Sequence, residues 1–256
     1  MADADAVRDA GLPARLTPTP EPAPAAGEMS LVGHLVELRN RLIKAVLAVA
    51  VASVVGFIFG DQIVAILKDP IPGGKPLYYT GLGDAFVIKL KIAVVVGVII
   101  AMPVILWQVW GFIAPGLTRE ERRIVRPWLP LAMVFFAIGT AIAYVILPFA
   151  AQFLIGFSTA DLQPLITAGE YFSFVTAMFL AFGLVMEFPI ILFGLSRVGI
   201  VTSQRLANAR RPAILGIAIF ATAITPGGDL VSPTVLGVTM YLLFEGTIFF
   251  IRRSGK

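Results

Sequence analysis

Four long, mainly apolar runs, at roughly 41 to 60, 86 to 111, 127 to 157 and 171 to 196, constrain this chain more than any other feature. Each is of the order of the about 20 residues that a helix needs to cross the hydrocarbon core of a bilayer. Two further runs, about 212 to 225 and 233 to 251, are separated by the turn Pro226-Gly227-Gly228-Asp229. Within lipid, every backbone N–H and C=O must be satisfied by the chain itself, and segments of this kind do so as helices. The expected fold class is an all-α membrane protein with six transmembrane helices. Spans five and six are expected to be short: the fifth, about 14 residues, gives ~21 Å of helix against a ~30 Å core, so the bilayer has to thin around it.

Composition agrees. Of 256 residues, 58% are hydrophobic and 14% charged, with a mean hydropathy of +0.89. That is more apolar surface than one soluble core buries, and too few charges for a solvated shell. The chain has no cysteine and one histidine, His34. Disulfides, thiolate metal sites and a cysteine nucleophile are excluded, and a lone histidine gives no support to a His-based metal cluster or a Ser-His-Asp triad. No enzyme activity, metal or cofactor is expected.

The net charge of +4 and pI near 9.6 would suggest nucleic acid in a soluble domain. Here the basic residues cluster in alternate short loops, where they set orientation, so no nucleic acid partner is expected. Arg39, Arg41 and Lys44 flank the start of span one. Arg119, Arg122, Arg123 and Arg126 lie between spans two and three, and Arg197, Arg205, Arg210 and Arg211 between four and five. Arg252, Arg253 and Lys256 follow span six, whereas 158 to 170 and 226 to 232 hold no basic residue. The first outer loop carries Lys68 and Lys75, and Lys89 and Lys91 are placed to snorkel outward from span two. Both termini are therefore expected in the cytoplasm.

Residues 1–28, with Thr17-Pro18-Thr19-Pro20-Glu21-Pro22-Ala23-Pro24, are expected to form a disordered Pro/Ala-rich tail ahead of a membrane domain over 29–256. The tail lacks the apolar block of a secretory signal peptide, and the expectation is either that Met29 is the physiological start or that the tail is dispensable. Pro103, Pro130, Pro148 and Pro189 fall within spans and are expected to bend them into a concave bundle. The six spans differ in length and their loops share no motif, which argues against an inverted-repeat transporter.

Three carboxylates invite a function, and for each the spacing leaves a structural alternative open. In Thr118-Arg119-Glu120-Glu121 the Thr-x-x-Glu spacing is that of a capping box, so Glu121 could simply tie down a helix start. It also stands beside Phe112 and Leu117, expected to be exposed, and a carboxylate next to apolar groups suits a peptide carrying arginines and then hydrophobic residues. Glu37 and Arg41 at i, i+4 could form an ordinary surface pair or a ligand-binding group. Glu187 interrupts span four, at a cost of about 2.5 to 3.5 kcal/mol by insertion scales unless it is neutral, bonded or facing a wet cavity. Its structural alternative is a bond to a carbonyl freed by Pro189. Glu170, in Thr167-Ala168-Gly169-Glu170, is expected to be a capping residue, and Asp229 a turn residue. Glu245 is expected to reach the interface or pair with Arg252 and Arg253.

His34-Leu35-Val36-Glu37-Leu38-Arg39, Pro103 to Trp110, Phe112 to Arg123, Phe182 to Pro189 and Tyr241 to Glu245 together resemble the motifs of TatC, the receptor subunit of the twin-arginine protein translocase. The resemblance covers about residues 30 to 252. It implies a non-enzymatic core subunit that binds twin-arginine signal peptides at its cytoplasmic face, with Glu37 and Glu121 matching the positions that receive the paired arginines and Arg39, Phe112 and Leu117 neighbouring positions. Glu187 matches an acidic position lining the concave face that works with partner subunits. The implied partners are TatA and TatB type single-span subunits, folded cargo proteins and other copies of the chain. The implied setting is the bacterial cytoplasmic (inner) membrane, with transport driven by the proton-motive force. The alternative is a proton-coupled small-solute transporter using Glu187.

Overall fold

The first helix begins well ahead of the first apolar run, so that the polar motif around Glu37 lies on its opening turns. The computed structural model describes residues 31–253 except 75, 160, 162, 198, 226 and 227. The tail expected over 1–28 and the start at Met29 lie outside the described residues, as do Lys75 and Lys256. Helix α1 (Leu31–Ile58) kinks at Phe59 into the short α2 (Gly60–Lys68). Then come α3 (Asp84–Ile113), a 3-10 turn at Ala114–Gly116, α4 (Arg119–Val125) and α5 (Trp128–Ile155). The fourth span is split into α6 (Ala168–Val185) and α7 (Phe188–Arg197), and α8 (Ser203–Asn208), α9 (Arg210–Ile224) and α10 (Val231–Arg253) complete the chain.

Five of these helical segments are long and apolar enough to cross a membrane, and α9 is the sixth pass. Of the two spans expected to be short, α9 is, with 15 residues and about 22 Å of length. By contrast α10 has 23 residues, about 34 Å, and is a full span, because its helix continues through Arg252 and Arg253.

Prolines shape the passes unequally. Pro189 ends α6: its ring would strike the carbonyl four residues back, at Val185, where that helix stops. Glu187 bridges the break, its N–H donating to the Leu184 carbonyl at 3.1 Å and its own carbonyl accepting from Ile190 and Ile191 at 3.1 Å. Pro103 and Pro148 sit inside α3 and α5 without ending them. Pro130 lies in the first turn of α5, four residues after Arg126, where α4 ends, so its effect falls at the α4–α5 break and not within the span.

Helices α5 and α6 pack on each other at the centre, and each also touches α3 and α10. α1 lies antiparallel along α3; α3 packs on α5 and α6; α10 packs on α7 and α5; and α9 lies against α10. The central face is filled by residues such as Ile92, Leu147, Val175, Met178, Phe182 and Leu236, while Val46, Val51, Leu215 and Leu242 cover the outer faces. At the end of the bundle remote from His34, Tyr78 forms a parallel bridge with Thr167, and the Tyr171 hydroxyl donates to the Leu67 carbonyl at 2.6 Å, tying the loop before α3 to the start of α6. Lys89 reaches Asp61 on α2 at 3.0 Å, and Lys91 donates to Ser173 Oγ at 2.6 Å.

Small residues allow the closest approaches. A Cβ on Gly97 would run into Ser53 of α1, 2.8 Å from its backbone nitrogen, and one on Gly183 would lie 2.6 Å from the Phe136 ring of α5. Without a hydrophobic drive between helices in lipid, such backbone approach supplies much of the packing energy. Gly97→Leu is therefore expected to lower stability by about 1 to 3 kcal/mol, the usual cost of overpacking. Thermal unfolding in detergent checks this, with Gly194→Ala, whose Cβ meets nothing within 4 Å, expected not to destabilise.

Candidate functional site

The polar opening turns of α1 meet the end of α3. The His34 ring stacks on Phe112 with centroids 4.2 Å apart and an interplanar angle of 18°. One turn on, Arg41 lies over Gly111, where a side-chain carbon would collide with its guanidinium. Arg41 in turn donates to Glu37 Oε1 through Nε at 2.9 Å and Nη2 at 2.5 Å. The surface pair suggested by spacing thus exists, but it is two-pronged and half-buried. It occupies only one carboxylate oxygen: Glu37 Oε2 is buried and has no hydrogen-bond partner among the described residues. Arg39 projects outward, with Nη2 3.4 Å from Asn40 Oδ1.

Past Gly111 the chain turns through the 3-10 segment into α4. Here the capping box is real: the Thr118 N–H donates to Glu121 Oε2 at 2.9 Å, and the Glu121 N–H donates to Thr118 Oγ1 at 3.3 Å. Arg122 braces the same turn by donating from Nη2 to the Ala114 carbonyl at 2.5 Å. Phe112 is half-buried, and the expectation that Leu117 is exposed is corrected: it is 7% exposed, tucked beneath the turn that the capping box and Arg122 hold shut. Its role in this structure is to anchor the turn that carries Glu121. His34, Glu37, Arg41 and Phe112 are brought together directly, with Glu121 on the adjoining helix start.

Glu187 lies in the interior at the α6–α7 break, 7% exposed, with Oε1 buried and accepting no bond among the described residues. The structural alternative, a bond from this oxygen to a freed carbonyl, is not formed. In the second half of α10, the expected pairing of Glu245 with Arg252 and Arg253 is replaced by a bidentate fork with Arg210 of α9, at 2.6 Å to Oε1 and 2.8 Å to Oε2. Arg210 wins because α9 and α10 run side by side, whereas Arg252 and Arg253 lie two turns along the same helix. The Tyr241 hydroxyl adds a bond to Glu245 Oε1 at 3.3 Å.

Sequence reasoning undervalued Asp229. It is 4% exposed and caps α10, Oδ1 accepting from the Ser232 N–H at 2.6 Å, while Oδ2 is buried without a partner among the described residues. The signal was available: an Asp three residues before Ser232, with Pro233 in the following turn, is a helix-start pattern. Among the described residues, no group of three or more His, Asp or Glu side chains is placed to hold a metal ion.

Such a molecule is a multi-pass helical membrane protein with a charged and aromatic site at one end of the bundle. The sequence family described as "Sec-independent protein translocase protein (TatC)" matches residues 33–238. The chain is 35% identical to the Sec-independent protein translocase protein TatC of Carboxydothermus hydrogenoformans, over 86% of this chain and 92% of that protein. It is 36% identical to that of Escherichia coli K12, over 87% and 88%. A crystal structure of the twin-arginine translocase receptor TatC in DDM matches with a TM-score of 0.75 at 34% identity, over 85% of this chain and 99% of that one. The chain belongs to the TatC family, and is accordingly a core subunit of the Sec-independent protein translocase rather than an enzyme. The small-solute transporter alternative finds no support in these relatives.

The Arg210–Glu245 fork should hold α9 to α10. Either Arg210→Glu or Glu245→Arg alone is expected to lower the unfolding temperature in detergent, and the double charge swap to regain part of the loss. Additive losses in the double variant would show that the pair contributes no coupling.

Proposed function

We propose that the chain receives twin-arginine signal peptides of folded cargo at the face built by the start of α1, the end of α3 and the start of α4. The observation that carries this reading is Glu37, whose Oε2 is buried without a partner beside the stacked His34 and Phe112. A guanidinium offers parallel donors to a carboxylate, and Glu37 retains an acceptor after its bond to Arg41. Glu121 supplies the second carboxylate, Phe112 an aromatic surface for the residues that follow the arginines, and Arg39 a flanking cation that fixes peptide register. Leu117 acts from below by seating the Glu121 turn.

The face lies at the end of the bundle that carries Arg119 to Arg126, Arg205, Arg252 and Arg253, so the positive-inside rule assigns it to the cytoplasm of a bacterial inner membrane, with both termini on that side. Glu187, at the interior break, serves the later steps: assembly with TatA and TatB type single-span subunits and further copies of the chain, and transport driven by the proton-motive force.

Glutamine separates peptide binding from capping at position 121, because its side chain can accept the same Thr118 N–H bond while lacking the charge. Glu121→Gln and Glu37→Gln are each expected to fold normally and to weaken a twin-arginine peptide by about ten- to a hundredfold, the loss of a charged hydrogen-bond pair worth roughly 1.5 to 3 kcal/mol. Fluorescence anisotropy at low salt, with a twin-lysine peptide as reference, measures this. Wild-type affinity in both variants would remove the arginine-receptor assignment.

A further inference from the structure

On the face of α4 there is a cavity of about 560 Å³ lined by Arg119, Arg122, Arg123, Arg126 and Pro127. The spacing of the four arginines, i, i+3, i+4 and i+7, sets them along one side of the helix, which the Arg126 N–H extends by donating to the Arg122 carbonyl at 3.1 Å. All four side chains are exposed. Arg122 is fixed by its bond to the Ala114 carbonyl, so at least one guanidinium is held in place before any ligand arrives. Arg119, Arg123 and Arg126 form no ion pair among the described residues. Like charges one turn apart repel, and the two carboxylates of the same helix, Glu120 and Glu121, leave the four-arginine face with an excess of positive charge.

The place of the cavity in the sequence, at the head of an apolar helix, points to what neutralises that charge. Pro127 is followed directly by Trp128, the first residue of the apolar helix α5, and Trp128 stacks on Phe193 with centroids 3.7 Å apart. A tryptophan at the head of a span marks the headgroup level of the bilayer. The arginines therefore sit where lipid phosphates lie, and guanidinium forks match phosphate oxygens geometrically.

We propose that Arg119, Arg122, Arg123 and Arg126 form a binding site for the phosphodiester headgroup of an anionic membrane lipid. The site adjoins the Glu121 turn of the proposed peptide face on the same short helix, but it is argued from the arginines alone and does not require that a peptide binds there. A bound headgroup neutralises the four-arginine cluster and anchors α4 to the membrane surface.

The test uses the full chain in phosphatidylcholine nanodiscs, with Trp107 and Trp110 replaced by Phe so that Trp128 reports alone. Brominated phosphatidylglycerol should quench Trp128 at several-fold lower mole fraction than brominated phosphatidylcholine does. Replacing Arg119, Arg123 and Arg126 together with Gln should remove that several-fold preference at low salt. Arg122 is left intact because it braces the turn. If the triple variant does not fold, Arg119→Gln and Arg126→Gln singly should each show a partial loss. Equal quenching by the two lipids, or a preference unchanged in the variants, would overturn the proposal. Inorganic phosphate that displaces the lipid at comparable concentration would also overturn it, by making this a site for a soluble anion.

Discussion

The packing of α1 on α3 sets the geometry of the face that carries His34, Glu37 and Phe112. Gly97 admits Ser53, Gly56 admits Ala93, and Gly111 admits Arg41, three close approaches spaced along one antiparallel seam. Because each leaves no room for a side-chain carbon, the two helices cannot slide without a collision. That fixed register puts His34 over Phe112 and delivers Arg41 to Glu37. Helix α1 is otherwise weakly held, with most of its apolar side chains, among them Val46, Leu47 and Val51, facing outward. A site assembled from its opening turns consequently relies on the glycine seam more than on any ion pair.

Buried carboxylates occupy the places where helices are interrupted. Glu187 lies at the break imposed by Pro189, and Asp229 at the start of α10; each keeps one oxygen without a partner among the described residues. An unsatisfied buried polar atom is costly, and within a span, as at Glu187, a carboxylate marks a functional position by default. Asp229 recovers part of that cost by capping α10. Glu187 has no comparable side-chain bond on Oε1, which distinguishes it from Glu245, fully engaged by Arg210 and Tyr241.

What could be read in the sequence was what depends on neighbouring residues. Span positions follow from apolar runs, the Thr118–Glu121 box from its spacing, and the α6 break from Pro189. The Glu37–Arg41 pair was legible as an i, i+4 contact. What escaped depends on which helices become neighbours. No local pattern announces that Arg210 meets Glu245, that Gly111 exists to seat Arg41, or that Leu117 folds beneath its own turn. The full length of α10 was hidden for a different reason: its last turn is basic, and hydropathy alone ends the span before Arg252. Asp229 belongs to neither group, since its capping pattern was present and its burial was not.

Photocrosslinking tests the receptor face most directly. A twin-arginine peptide carrying a photoreactive residue just after the arginine pair should crosslink to α1 near His34 and to α3 near Phe112, and a twin-lysine peptide should lose both adducts. Adducts concentrated at the opposite end of the bundle, around Tyr78 and Ile166, or equal yields from the two peptides, would contradict the assignment of this face as the arginine receptor.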